Sequence, residues 1–485
     1  MRIAVVGAGV GGLCAAVRLA HAGHEVTLLE QQDAAGGKCA RVTRGGFTWD
    51  AGPSLVTLPQ VFRDLFAATG APLDDELELL PVEPVTRYRF ADGSCVDLSA
   101  DLERSVAALE AWSPGAGADW RAFMAEGDRL WAASQAFLTG PPPWPPRRPA
   151  RGDPAPDPRD ALRVRPWWTL RRLARATVRD PRLRLVVERF ATYAGADPRR
   201  APAAFAVAGH VEHAFGAWHP RGGVYELVAA LVRRLEAVGG DLRTGIRAEG
   251  LVRHGARVRG VETSSGALAA DAVVTDVDEL VVRRWVGRAS RPRSRSVSGL
   301  AVLLGLEGRG EDLVHHEIAF PADYDAEFDD CFARRRPVRD PTVYVCTPAA
   351  TDPDDAPPGR EARFVLVNAP AAVEADWAAE AERLVDRLGV RERLLELVVR
   401  SPADLATETG AVGGAIYGPA PHGRLGALRR TGQRLRGVDG LWLVGGTVHP
   451  GGGLPLVALG AQTVARAIGP SGASGSRPSH VPVEA

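Results

Sequence analysis

The chain has 485 residues, 45% hydrophobic and 24% charged, a composition suited to two or three globular units each with its own core. Its formal net charge is zero, so no overall field steers it to nucleic acid. The cysteines Cys14, Cys39, Cys95, Cys331 and Cys346 are odd in number and include no C-x-x-C pair, which suits a reducing compartment and argues against a disulfide framework or a zinc site.

Residues 3–6 form a short β-branched run that predicts a buried parallel strand. Gly7, Gly9 and Gly12 follow as G-x-G-x-x-G, with Gly11 inside the motif, and residues 13–19 continue with helical apolar spacing. Gly7 allows the tight turn, Gly9 lets backbone approach a pyrophosphate, and Gly12 allows close helix–strand packing. The free N–H groups of that helix start favour an anion. Residues 25–29 predict the second strand. Glu30 ends it, where a carboxylate can accept hydrogen bonds from ribose hydroxyls, with Gln31 beside it. Strand, glycines, helix, strand and terminal Glu together predict a dinucleotide site.

Further on, Gly36-Gly37-Lys38 carries the chain's only lysine; every other basic residue is arginine. Residues 40–49 predict two short strands around Arg44-Gly45-Gly46. Asp50-Ala51-Gly52-Pro53-Ser54 follows as a punctuated loop. Residues 60–69 predict a helix with Val61, Leu65 and Ala68 on one face. Residues 77–96 predict strands with a hairpin at Ala91-Asp92-Gly93, and 104–112 and 120–138 predict helices. Residues 140–158 read as a proline- and arginine-rich linker.

Residues 167–178 predict a basic amphipathic helix. Trp167, Leu170, Leu173, Ala174 and Val178 share one face, which suits either a membrane interface or the protein's own core. Residues 224–238 predict a helix. Strands are expected at 242–244, 251–253, 258–262, 272–275, 299–306, 342–346, 363–368 and 441–444, with a helix at 377–388. The last strand runs into Gly445-Gly446, the loop His449-Pro450-Gly451-Gly452-Gly453 and a closing helix at 455–468, which repeats the anion-binding logic of the first turn. The tail from residue 470 is Gly/Ser/Pro-rich and expected to be disordered.

No second strand–G-x-G-x-x-G–helix unit appears, so one dinucleotide is expected. If it is FAD, its electrons leave to oxygen, a quinone or another acceptor. His210, His213 and His219 mimic metal-ligand spacing without a partner set, and no metal is expected. G-x-S-x-G is absent. No apolar run approaches the roughly eighteen residues of a membrane span. With a strand at residue 3 leaving no room for a signal peptide, the expected location is cytoplasmic, peripheral on the inner face of the cell membrane.

Five blocks carry a wider resemblance: VVGAGVGGLCAAVRLAHAGHEVTLLE with its following AGGK, DAGPSLVTLPQVFRDLF at 50–66, FATYAGADPRRAPAAF at 190–205, GAWHPRGGVYELVAAL at 216–231 and GLWLVGGTVHPGGGLPLVALGAQ at 440–462. In that order they resemble the phytoene desaturase family of FAD-dependent carotenoid oxidoreductases, within the glutathione-reductase-like amine oxidase superfamily. The resemblance implies an α/β glutathione-reductase-like Rossmann domain binding FAD, from residues 1–75, 220–295 and 431–469. An inserted α+β domain from 76–219 and 296–430 would contact substrate and membrane, leaving 470–485 as the tail.

The resemblance also implies site roles. The Gly7–Gly12 turn takes the pyrophosphate, Glu30 the adenosine ribose, and Lys38 lies near the diphosphate or flavin. Ala248 gives adenine a main-chain contact, and Gly445, Gly446, Leu454, Pro455, Leu456 and Val457 pass beneath and beside the isoalloxazine. Gln31, Gly37 and Gly52-Pro53-Ser54 complete the cofactor set. The C-terminal block reads V-H-P-G-G-G-L-P-L-V where the commonest family form is T-H-P-G-A-G-I-P-G-V, a wording similar to relatives acting on hydroxylated or later carotenoids. The implied reaction is desaturation: a hydride leaves one carbon for flavin N5, a proton leaves its neighbour, and the carotenoid gains a double bond. The pocket should be a long apolar tunnel. His449 is the candidate catalytic residue near the flavin. The alternatives are a carotenoid cis–trans isomerase or ketolase of the same family, a flavin amine or porphyrinogen oxidase, and a non-enzymatic prenyl-group chaperone.

Overall fold

A computed structural model describes residues 1–141, 157–288 and 294–471. The linker expected at 140–158 and the tail from 470 therefore lie largely outside the described residues. Ser471 is described, and its N–H donates to the Ala22 carbonyl at 2.9 Å.

One sheet is five-stranded and wholly parallel, in the order Leu441–Leu443, Ala272–Thr275, Arg2–Val6, Glu25–Leu29 and Asp241–Arg243. Its central strand is almost entirely buried, as its β-branched run requires. Helices Val10–His21, Tyr225–Ala237 and Leu454–Ile468 cover one face, where Leu13, Val17, Leu231 and Val464 share a core. An antiparallel meander, Ala248–His254, Arg257–Thr263 and Gly266–Ala269, packs on the other.

A second sheet has seven strands in the order Leu394–Arg400, Ser298–Glu307, Arg360–Ala369, Val343–Cys346, His316–Ala319, Thr86–Arg89 and Cys95–Leu98. Its neighbours are antiparallel except His316–Ala319 beside Thr86–Arg89. Helix Trp377–Arg387 covers one face; Phe47 and Trp49 cover part of the other.

A helical layer is built from Leu102–Trp112, Ala116–Thr139, Leu170–Thr177, Pro181–Arg189 and Ala206–Ala214 around Trp120, Phe123 and Phe190. Capping explains where several of these begin. Asp101 accepts from the N–H groups of Glu103 and Arg104, and Asp180 from that of Arg182 at 2.8 Å with Pro181 in the first turn.

Two expected faces are corrected. Helix Gln60–Ala68 buries Phe62, Leu65 and Phe66, while Ala68 is exposed, because the helix is rotated to bring both phenylalanines into the nucleotide-side core. The basic helix begins at Leu170, after Trp167. Its apolar stripe, Leu170, Leu173, Ala174 and Val178, is buried in the helical layer. Arg171 is paired with Glu188 and Asp325. The stripe packs on the protein's own core, and only Trp167, 48% exposed, is left for another surface. No helix among the described residues is long and apolar enough to cross a membrane.

Candidate functional site

The carboxyl ends of the parallel strands converge on the start of helix Val10–His21, where an open α/β sheet places its ligand. Gly7 turns the chain with φ +93°. A Cβ on Gly12 would lie 1.9 Å from the Gly7 carbonyl oxygen, so only glycine lets the helix sit this close to the strand. Glu30 braces the turn: its carboxylate accepts the Ala8 N–H at 2.8 Å and the Gln32 N–H at 3.0 Å.

Asp276, just past strand Ala272–Thr275, was not singled out from the sequence. Its Oδ2 accepts the Gly12 N–H at 2.9 Å. A Cβ on Gly445 would lie 1.7 Å from its Oδ1, so a glycine is needed there to pass the carboxylate. Burial pushes the Asp276 carboxyl up to about 7, against the opposing pull of the Gly12 N–H and of Lys38. Lys38 donates to the Ile416 carbonyl at 2.7 Å, and burial holds its ammonium below the ordinary lysine range while Asp278 and Asp276 pull it back. Arg430, also unforeseen, donates to the carbonyls of Tyr417 at 3.0 Å and Gly446 at 2.9 Å. Burial lowers its guanidinium to about 10.

The loop at Asp50 is anchored by helix capping. The Asp50 carboxylate accepts the N–H groups of Val224 and Tyr225 at the start of helix Tyr225–Ala237. A Cβ on the next glycine, Gly52, would lie 1.8 Å from the Lys38 carbonyl oxygen, so this loop and the lysine loop are packed backbone to backbone.

These elements open on one cleft of about 750 Å3. Gly7, Gly9, Gly11, Glu30 and Gln31 line it from the first unit, and Gly37, Lys38, Gly52, Pro53 and Ser54 from the loops that follow. Ala248 lines it from the meander; Gly446, Leu454, Pro455, Leu456 and Val457 line it from the C-terminal segment. Gly12 and Gly445 are not among the lining residues; they act behind the wall by permitting close packing. His449 is buried behind the cleft lining, packs edge-on against the cleft-lining Phe137, and its Nε2 is hydrogen-bonded to the Gly140 carbonyl at 3.2 Å, which ties down the end of helix Ala116–Thr139.

The cleft fits a dinucleotide in three respects: a helix start bare of side chains, a carboxylate at the end of the second strand, and a long trough continuing past it. Beyond that trough the walls turn apolar, with Leu55, Leu58, Phe137, Val207 and Leu366. Arg189 stands among them, donating to the Tyr193 hydroxyl at 3.1 Å, and that hydroxyl donates in turn to buried Glu212. His210, His213 and His219, whose spacing mimics metal ligands, have separate neighbours. His213 is hydrogen-bonded to the Ser99 carbonyl at 3.0 Å, His210 faces Asp128, and His219 packs against His315.

The family model for flavin containing amine oxidoreductases matches residues 10–278. Over 487 aligned residues the chain is 34% identical to a zeta-carotene-forming phytoene desaturase of Myxococcus xanthus, covering 96% of this chain and 93% of the relative. It is 36% identical to a hydroxyneurosporene desaturase of Cereibacter sphaeroides, covering 98% of this chain and 99% of the relative. Among solved structures, an oxidoreductase from Methanosarcina mazei matches with a TM-score of 0.62 at 18% identity over 96% of this chain and 100% of that one, a likeness of fold. The chain therefore belongs to the flavin-containing amine oxidoreductases, within the phytoene desaturase family, and its cofactor is FAD.

Proposed function

We propose that the protein is a carotenoid desaturase that converts a C–C single bond beside a polyene into a conjugated double bond. The observation that carries this reading is the continuity of the dinucleotide trough with an apolar extension in one cleft, together with full-length similarity to two carotenoid desaturases. FAD, when bound, supplies a two-electron acceptor for the hydride of an activated C–H bond. The chain's part is to hold and orient. Gly7, Gly9 and Gly11 would take the diphosphate on the helix start, Glu30 the ribose, and the Ala248 backbone the adenine. Lys38, Gly446 and Leu454–Val457 would lie along the flavin end. The division into a cofactor domain (1–75, 220–295, 431–469) and a substrate domain (76–219, 296–430) belongs to this reading.

Among the described residues no carboxylate faces the apolar part, and the one imidazole in the cleft lining is that of His316. The carboxylates of the cleft, Glu30, Asp276, Asp278 and Glu408, all lie at the dinucleotide end. Burial holds the phenols of Tyr193, Tyr324 and Tyr344 well above the ordinary range, so they stay protonated. Such a lining favours substrates whose C–H bond is already activated by conjugation.

A carotenoid resides in a bilayer, and the cleft has an exposed aromatic at its edge: Phe215, 40% exposed, packs at a tilt against the cleft-lining Trp131 of helix Ala116–Thr139. Leu162 and Trp167, 62% and 48% exposed, belong to a segment tied to the same helix by the Arg165–Glu126 ion pair. These three residues, among arginines, are the proposed membrane-contacting patch. The reading leaves oxygen, a quinone or another acceptor to reoxidise the cofactor.

The test is expression in bacteria accumulating phytoene, neurosporene or hydroxyneurosporene, followed by pigment separation. One precursor should gain a double bond. If none does, the desaturase reading fails, and a product that gains oxygen instead assigns the chain to ketolase chemistry.

A further inference from the structure

The second sheet carries a cluster that the desaturase reading does not use. In the antiparallel pairing of His316–Ala319 with Val343–Cys346, His316 stands directly opposite Cys346, which puts the two side chains on one face. His315 packs against His316 with ring centroids 4.5 Å apart. The ligand-capable atoms of His315, His316 and Cys346 all lie within 4.8 Å of one another, and all three residues are buried. His219, from strand Trp218–Pro220, packs edge-on against His315 at 4.8 Å. Three segments distant in sequence thus meet at four soft or borderline ligands.

The hydrogen bonds around the cluster leave its lone pairs facing inward. His316 Nδ1 is bonded to the Val85 carbonyl at 3.0 Å; a carbonyl only accepts, so Nδ1 carries the proton and Nε2 the lone pair. A metal-bound imidazole is typically held in this way by a backbone carbonyl on its other nitrogen. His315 Nδ1 is bonded to the Thr351 hydroxyl at 2.8 Å. The Nε2 atoms of His315 and His316 and both ring nitrogens of His219 find no hydrogen-bond partner among the described residues. The Ser54 carbonyl is within reach of the first two rings, and Asp355 approaches His219 Nε2 at 3.4 Å, so these contacts are loose rather than absent. Buried ring nitrogens with no well-formed hydrogen bond leave room for an occupant. A small cavity of about 20 Å3 adjoins the cluster on the Cys346 side, lined by Cys346, Ser54 and Asp355 but by none of the three histidines. His316 also lines the main cleft, which gives an entry path.

We propose that His315, His316 and Cys346, with His219 beside them, form a buried site for one divalent transition-metal ion of the zinc type. On binding, the Cys346 S–H bond is replaced by a sulfur–metal bond and the proton passes to solvent. The ion would pin strands Trp218–Pro220, His316–Ala319 and Val343–Cys346 together behind the cleft wall. It takes no electrons and is independent of the substrate.

The experiment uses full-length, FAD-loaded protein made without a histidine tag, stripped with chelator and titrated with Co2+ alone. The expected result is a thiolate-to-cobalt charge-transfer band in the difference spectrum that saturates at one equivalent and is displaced by Zn2+. Cys346→Ser should abolish that band, His315→Gln should abolish stoichiometric binding, and Cys331→Ser, a buried cysteine outside the cluster, should change neither. Flavin content and circular dichroism establish that each variant is folded; the wild-type titration decides even if a ligand variant is not. Absence of the band in wild type, or equal metal content in wild type and a His315→Gln/Cys346→Ser double variant, would mean that the rings enclose water only and would overturn the proposal.

Discussion

Replacing Asp276 with asparagine should change how stability depends on pH. Its carboxyl titrates at about 7 in the folded chain against an ordinary 3.8, with burial as the largest cause. Below 3.8 the group is protonated in both states and costs nothing. Between 3.8 and about 7 the unfolded chain holds the carboxylate and the folded chain the acid, so folding is penalised progressively as pH rises. Above about 7 the penalty is complete, at roughly 4 kcal/mol for some three pH units of difference. About 1.5 kcal/mol of it is already present at pH 5, leaving roughly 2 to 3 kcal/mol to appear between pH 5 and 8. An asparagine side chain at this position could still accept the Gly12 N–H but carries no such penalty. Urea midpoints followed by tryptophan fluorescence at pH 5, 6, 7 and 8 should show the Asp276→Asn variant drawing ahead of wild type as pH rises. FAD brings a diphosphate into the same cleft and favours the uncharged acid, so wild-type affinity should fall over this range while that of the variant stays flat. A gap between the two proteins that is constant from pH 5 to 8 would refute the reasoning.

Gly12→Ala sets a Cβ 1.9 Å from a backbone oxygen that cannot rotate away, so the variant should lose about 3 kcal/mol or more in denaturant unfolding and purify without flavin absorbance. Lys38→Ala removes a cation from the cleft and should weaken FAD by ten- to a hundredfold, about 1.5–3 kcal/mol, measured as flavin lost on gel filtration. His449→Asn should leave the turnover of FAD-loaded enzyme within about twofold while lowering stability by about 1 kcal/mol, since what it loses is the Gly140 contact. Leu162→Ser with Trp167→Ser should cut co-sedimentation with anionic liposomes several-fold while flavin content is unchanged.

The dinucleotide unit was legible because its constraints are local. A β-branched run, three glycines and a terminal carboxylate within thirty residues specify strand, turn and helix without reference to anything distant. Asp276 was not legible for the opposite reason. Its role depends on a contact with Gly12, 264 residues away, and nothing around it in sequence marks it. Helices Pro181–Arg189 and Pro402–Thr409 could have been found: each opens with a capping Asp or Ser followed by proline, and Ser401 completes a capping box with Asp404. The reading of residues 167–178 caught the apolar period but could not tell what covers it. A stripe that faces a bilayer and one that faces Trp120 and Phe190 have the same spacing. The histidines illustrate the same limit. The i, i+3 pair His210 and His213 shares a helix but takes different partners, Asp128 and the Ser99 carbonyl, while His219 and His315, 96 residues apart in the chain, come together.

The cleft also explains how one cavity can hold charges and still accept a hydrocarbon. Three of its five lining cations are engaged from behind: Lys38 by the Ile416 carbonyl, Arg430 by those of Tyr417 and Gly446, Arg189 by the Tyr193 hydroxyl with Glu212 beyond it. An apolar ligand entering beside them therefore does not strip a bare ion of its water, which would cost several kcal/mol. Two of the three, Lys38 and Arg430, sit where the C-terminal glycines and the first lysine loop meet, and are held by neutral carbonyls rather than by carboxylates. Their charge is offset only in part, by Asp276 and Asp278 near Lys38 and by Glu279 near Arg430, and what remains would favour a transferred electron pair if the flavin lies here. Arg189 is balanced through Tyr193 and Glu212, and Arg400 through its pairing with Glu408. This division, a cationic end for the cofactor and a compensated apolar length for the substrate, is what an oxidation of hydrocarbon by FAD requires of its cavity.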